Sequence, residues 1–253
     1  MSVATIYCKE VRNNFKKYFG NWEPTDIIKL GDIGIIENDM FIHKGNIENF
    51  GIKNLAVQIE NGIGNKTFST KDSVTVQLKA KATIGQVNTN AGIEISFSKG
   101  NSLFINALDC SIERISDKIS LGEKILDLYK IEKKWKKNWV VITDVIISKN
   151  TTVAISETAN SNISLEAKSN AIQQIDILDA SISLGVVRNN QVGYCAESRV
   201  NITPFFCICG IKDTWFEEAK FETLTTKQYL PRFRSGGGLG FIQAETEEFG
   251  EIE

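Results

Sequence analysis

From residue 74 to residue 84 the chain alternates without a break. Val74, Val76, Leu78, Ala80, Ala82 and Ile84 fall on one side, and Thr75, Gln77, Lys79, Lys81 and Thr83 on the other. Successive strand residues point to opposite faces, so this spacing predicts a long β-strand with one wetted face. After a polar stretch Ile93, Ile95 and Phe97 resume the alternation. Lys99-Gly100-Asn101-Ser102 then reads as a turn, and residues 103–115 as a returning strand. A second region repeats the pattern. Val153 and Ile155 open it; Ile163, Leu165 and Ala167 continue it. Ala180, Ile182, Leu184 and Val186 alternate against Ser181, Ser183 and Gly185, and Arg188-Asn189-Asn190-Gln191 reads as a turn from which Val192, Tyr194 and Ala196 pair back. A shorter hairpin is expected within residues 32–50, turning at Glu37-Asn38-Asp39. Strands of about 9–11 residues with apolar-out, polar-in alternation suit a transmembrane β-barrel. A half-exposed antiparallel sheet has the same pattern. Two such regions in one chain, split by a helix, favour the barrel.

Two helices are expected. Ala4, Tyr7, Cys8, Val11, Phe15, Tyr18 and Phe19 share one helical face, with Lys9, Arg12, Asn13, Lys16 and Lys17 on the other; Gly20 and Pro24 are read as the stop. A basic amphipathic helix suits an anionic membrane surface, and equally a surface helix packed on a core. Cys8 is either a small buried hydrophobe or a candidate for S-acylation. The second helix is expected over residues 121–137, with Leu121, Ile125, Leu128 and Trp135 near one face. It closes on Lys133, Lys134, Trp135, Lys136, Lys137 and Trp139. Lysines there suit the helix dipole, and interleaved with tryptophan they also suit an anionic headgroup layer.

Composition narrows the function. With 42% apolar and 24% charged residues the chain is not of disordered type. A net charge of −2 excludes a globally basic nucleic-acid binder, and no RNA-binding signature accompanies the lysine cluster. One histidine, His43, removes every two-histidine metal site and reads as a surface residue in a polar turn. The five cysteines are odd in number and irregularly spaced; with no apolar leader or apolar run of membrane-helix length, an intracellular, reduced, soluble chain is expected. Cys207-Ile208-Cys209 lacks the spacing of a zinc or redox pair, and Gly236-Gly237-Gly238 lacks the Lys-Ser/Thr of a phosphate loop. Thr214 and Glu217 read as a capping box on a short helix from Trp215. No acid–base pair stands out, so no enzyme and no cofactor are expected.

Charge is unevenly placed. Residues 235–253 hold five glutamates and no Lys or Arg, giving −5; the other 234 residues carry 29 basic and 26 acidic groups, giving +3. A Gly-rich hinge joins the two parts. Phe241, Ile242 and Phe249 give the tail apolar anchors, so it suits a segment docked on the basic body, and equally a solvated terminus.

This order of elements resembles the pore-forming domain of gasdermins, particularly the compact bacterial kind. The closest local likeness is Asn138-Trp139-Val140-Val141-Ile142-Thr143-Asp144-Val145-Ile146, which is similar to the family's Val-Val-Thr-Glu-Val strand leading into the second membrane-inserting hairpin. That hairpin would have arms at residues 151–167 and 180–196. The resemblance implies an α+β fold: a twisted, mainly antiparallel sheet with long hairpins, an N-terminal amphipathic helix and flanking helices. It implies a pore-forming domain over residues 1–234 and an autoinhibitory tail over 235–253. A protease partner would cut between about Arg234 and Gly240, a hinge that includes Gly238 and Leu239. The freed body would leave the cytoplasm, bind anionic lipids of the inner membrane through Lys9, Arg12, Lys16, Lys17 and the Lys133–Trp139 cluster, and assemble from monomers into large pores that kill the cell in antiphage defence. Cys8 would be the acylated cysteine. Two other readings compete: a pore-former without a proteolytic switch, and a soluble β-rich interaction or immunity module that binds a protein through its tail.

Overall fold

The computed structural model describes residues 2–79, 83–84, 87–88, 92–167, 184–190, 192–198, 201–214 and 217–224. Ser2 caps the first helix, its Oγ accepting the Thr5 N–H at 3.2 Å. α1 then runs Val3–Asn14 and buries Ala4, Ile6, Tyr7, Cys8 and Val11. It stops well before Gly20, so Tyr18 and Phe19 are not on its face as the spacing suggested. Phe19–Gly20 is instead a short strand, β1, paired with Phe205 and Phe206. The competing force is tertiary: Phe19 stacks on Phe206 at 5.8 Å, and a ladder replaces the last helical turn. Gly20 is needed for that approach, because a Cβ there would lie 2.7 Å from the Tyr7 ring.

The expected hairpin forms as β2 (Asp32–Glu37) and β3 (Met40–Asn46). Asn38 and Asp39 both take positive φ, as a tight hairpin turn demands. β4 is Val57–Glu60 and β11 is Ser111–Ile115. β12 (Val140–Ser148) and β17 (Ile202–Thr214) form the middle of the main sheet, and β18 (Glu217–Thr223) lies outside β17. Among the described residues this sheet has eight strands; its path runs β1-β17-β12-β11-β4, with β18 on β17 and the β2–β3 hairpin on β12. The expected helix from Trp215 does not form: Glu217 opens β18 and pairs with Thr214. Ala219 and Phe221 of β18 pack on the second helix, and that packing outweighs the local capping signal. α2 runs Lys118–Lys130, capped by Asp117, and is shorter than expected.

The two alternating regions form a second sheet in two storeys. The lower storey has the order β16-β13-β10-β5, with β5 Lys66–Ser69, β10 Ser102–Leu108, β13 Asn150–Ser156 and β16 Tyr194–Ser198. The upper has the order β15-β14-β9-β6, with β6 Val74–Lys79, β9 Gly92–Phe97, β14 Ser161–Ala167 and β15 Leu184–Asn190. The chain passes between storeys four times, and neighbours are conserved across the break. The sheet is thus four long strands bent along one line. Lys99-Gly100-Asn101-Ser102 is therefore part of the bend and not a hairpin turn: β9 and β10 lie end to end and pair with different strands. Arg188-Asn189-Asn190 is likewise strand, and β15 pairs with β14 while β16 pairs with β13.

α1 lies between the two sheets. Its apolar face shares one core with Leu103, Ile105, Val153 and Ile155 of the lower storey and with Ile112, Ile146 and Phe205 of the main sheet. Tyr7 adds a hydrogen bond, its hydroxyl donating to the Pro204 carbonyl at 2.9 Å. Each large side chain buried here contributes about 1.5–3 kcal/mol. Ile105→Ala should therefore lower unfolding free energy by about 2–5 kcal/mol, read from the denaturant midpoint. Ile119→Ala, at a side chain 78% exposed, should change it by less than about 0.5 kcal/mol.

Candidate functional site

The upper storey carries the alternation that the sequence advertised. Val76, Ile95 and Ile163 are cross-strand neighbours, as are Leu78, Ile93 and Leu165. Ile93, Ile95, Phe97, Ile163 and Leu165 are buried in one apolar cluster with Phe104, Ala154 and Val192, and Val74 and Val76 pack against it. The intervening positions are polar. Gln77, Glu94, Ser164 and Arg188 fall in one row, and Thr75, Ser96, Asn162 and Asn190 in the next. Beyond β6, β7 (Thr83–Ile84) and β8 (Val87–Asn88) pair in the same register as β6 and β9. The first alternating region is thus one hairpin, and its returning arm β9 pairs with the outgoing arm β14 of the second. The two hairpins lie side by side. Residues 168–183, including Ala180 and Ile182, lie outside the described residues.

The bend has its own chemistry. Asp72, Asn101 and Asn160 all sit in the left-handed region, at φ 57°, 57° and 59°. Asn and Asp tolerate it better than other residues with a Cβ. A serine follows each: Ser73, Ser102 and Ser161. Ser102 Oγ donates to Ser73 Oγ at 2.9 Å, the Ser98 N–H donates to the Ser73 carbonyl at 2.9 Å, and Ser156 and Ser161 hydroxyls hydrogen-bond to each other. The repeated Asp/Asn-Ser pair at three of four crossings is the sequence signal that a reading by alternation passes over.

The lysine-rich and cysteine sites are placed differently from expectation. Cys8 is 2% exposed, and its Sγ donates to the Gly20 carbonyl at 3.5 Å. Burial pushes its thiol up to about 12, with nearby Asp39 adding to the rise and Arg12 opposing it. It is not presented for acylation in this fold. Arg12 is held in an ion pair with Asp39 in the β2–β3 turn. Lys9, Lys16 and Lys17 are exposed, with Lys17 Nζ 5.7 Å from the Tyr18 ring. α2 ends at Lys130, so Lys133, Lys134, Lys136 and Lys137 lie in the segment after it. Trp135 is buried at 3% exposure and is no headgroup anchor in this fold; it makes an aromatic triad with Phe50 and half-buried Trp139 at 5.5–5.9 Å. Lys134 pairs with Glu132 at 2.7 Å and Lys136 Nζ stands 5.5 Å from the Trp139 ring. The α1 lysines and this cluster border different cores. Arg234, Gly238, Leu239, Gly240, Phe241, Ile242 and Phe249 lie outside the described residues.

Cys207 and Cys209 are buried in β17, as their apolar neighbours suggested; burial raises the Cys207 thiol to about 12 and raises Cys209 as well. His43 is exposed as expected, though in β3 and not in a turn, with Nε2 3.5 Å from Asp32 Oδ1. Asp144 is a buried carboxylate in β12, met by Lys118 Nζ at 2.5 Å and the Thr143 hydroxyl at 2.8 Å. Among the described residues no group of His, Cys, Asp and Glu is placed to hold a metal, and no helix is long and apolar enough to cross a membrane. No protein-family model matches this chain, and no curated protein matches it.

The buried thiols make two measurable statements. At pH 8 a maleimide or iodoacetamide should label Cys195, which is half-buried, well before Cys8, Cys110, Cys207 and Cys209 in the native chain, and all five after denaturation; mass spectrometry reads the order. Raised folded-state thiol values mean that the unfolded chain loses these protons first as pH rises. Stability should therefore be whole below the ordinary thiol value of 9.0 and fall from there towards about 12, seen as a dropping melting temperature.

Proposed function

We propose that this chain is an autoinhibited, gasdermin-like pore-former. The observation that carries the reading is the upper storey: two adjacent hairpins in one sheet, apolar on one face and polar on the other. In hydrocarbon every backbone N–H and C=O must be paired within the protein, so strands cross a bilayer only as a closed barrel. Four strands cannot close a barrel wide enough for an aqueous hole, so many copies must contribute. β6 and β15 end the strand order, and these outer edges are where neighbouring copies join. The apolar face then meets lipid and the polar face lines the lumen.

In the resting chain the acidic tail, residues 235–253, restrains this change, and a protease cut between about Arg234 and Gly240 releases it. A restraint of a few kcal/mol suffices to hold such an equilibrium. Lys9, Lys16 and Lys17 on one side and Lys133, Lys136 and Lys137 on the other attract anionic lipid; each exposed Lys near the surface contributes about 1 kcal/mol. Acylation of Cys8 requires α1 to withdraw first and is not needed by the mechanism. The cytoplasmic monomer thus becomes an inner-membrane oligomer whose pores end the life of an infected cell.

Dye release from vesicles of mixed neutral and anionic lipid tests this. A chain carrying an engineered protease site at Gly238 should release nothing before cleavage and most of the dye after it. Release from the uncut chain would mean a pore-former without this switch. No release in either state would favour a soluble interaction module.

A further inference from the structure

β4 is an outer strand of unusual character. All four of its residues are exposed, Val57 at 46% and Ile59 at 58%, and among the described residues it pairs only with β11. Its backbone orientation can be read from the ladder. Val57 pairs with Ile115, so Ala56 stands opposite Ser116, whose N–H donates to the Ala56 carbonyl at 2.9 Å. Hydrogen-bonded pairs alternate along an antiparallel ladder. Ala56, Gln58 and Glu60 therefore bond inward to β11, while the N–H and C=O groups of Val57 and Ile59 point outward. The residues with outward amides are also those with exposed β-branched side chains. Edge strands are ordinarily blunted by Pro, bulges or lysine; β4 has none of these, and its one charge, Glu60, is engaged by Arg114 at 3.2 Å.

We propose that β4 is a body-level contact between neighbouring copies of this chain, which meet head to tail so that an extended edge of one copy adds to β4 of the next. This rests on the pore reading. The occupant follows from continuity. β4, β5 and β6 succeed one another in the chain, and each ends its strand order. A neighbour joined at β6 is thereby brought towards β4, which precedes it in the same succession of outer strands through β5. Exposed Lys53 and Lys71 flank this run, and β18, on the opposite edge of the main sheet, carries both exposed Glu218 and exposed Lys220, so continuity and not charge selects the neighbour. A β4–β4 pairing would close a two-fold dimer and stop growth, which a ring cannot tolerate.

The test uses full-length chain, cut at the hinge on vesicles. Val57→Asp with Ile59→Asp should leave the monomer's melting temperature and vesicle co-sedimentation unchanged, yet reduce detergent-resistant oligomer and dye release roughly tenfold or more. Ile59→Pro, which removes an outward N–H and spares every bond to β11, should do the same. In the unsubstituted protein the Val57 and Ile59 amides should exchange freely before cutting and become protected in the assembly. Wild-type assembly and release from both variants would overturn this proposal while leaving the pore reading intact. Amides protected in the uncut chain and freed by cutting would overturn it in favour of the tail as occupant. No release from the unsubstituted cut chain would overturn both readings.

Discussion

The burial of α1 between two sheets is the interaction on which the architecture depends. Tyr7, Cys8 and Val11 are each 2% exposed or less, although α1 lies at the start of the chain, where order is usually weakest. The helix fills the space that Leu103, Ile105, Val153 and Ile155 would otherwise leave open to the face of β11, β12 and β17. Polar groups hold it as well: Arg12 ties it to the β2–β3 turn, and the hydroxyl of buried Tyr7 ties it to β17 through Pro204. A helix so held is a strut first. Any membrane role for its lysines is confined to those left at its rim.

Local and long-range forces divided the legibility of the sequence. The alternation through residues 74–79 and 93–97 did specify strands with one apolar face, because a period of two is a backbone property that packing seldom overrides. The Asn38-Asp39 turn was equally plain, since a tight hairpin needs positive φ there. Where the strands interrupt and how the hairpins lie beside one another were not legible. Nothing in Lys99-Gly100-Asn101-Ser102 says whether the chain doubles back or continues bent; Asn101 in the left-handed region serves both. Arg188-Asn189-Asn190 has turn-like composition, yet sits in strand because β14 supplies partners. Trp135 keeps the helical spacing of Leu121, Ile125 and Leu128, but α2 has ended; the ring is drawn into the core by Phe50 and Trp139, which are distant or out of phase in sequence. The α+β class, the mainly antiparallel sheet, the N-terminal helix and the β2–β3 hairpin were all legible, and the arms at residues 151–167 and 184–196 pair as the resemblance implied; how these units lie beside one another was not legible.

The site reading fared according to the same division. Burial of Cys207 and Cys209 followed from their neighbours Phe205, Phe206 and Ile208. The fate of Cys8 did not, because a helix with an apolar face has no memory of whether lipid or protein will cover it. Here protein covers it, and the high thiol value follows from lost hydration of the thiolate.

The bend gives the second sheet a mechanical property that no single strand has. Irregularities at one level in every crossing strand make a crease and not a kink. A crease separates pairing above from pairing below: strands on its far side can flatten, splay or acquire new neighbours while the lower storey, locked onto α1, keeps its register. In the proposed pore the body would act as a fixed handle, and only the part beyond the fold line would have to find a new solvent.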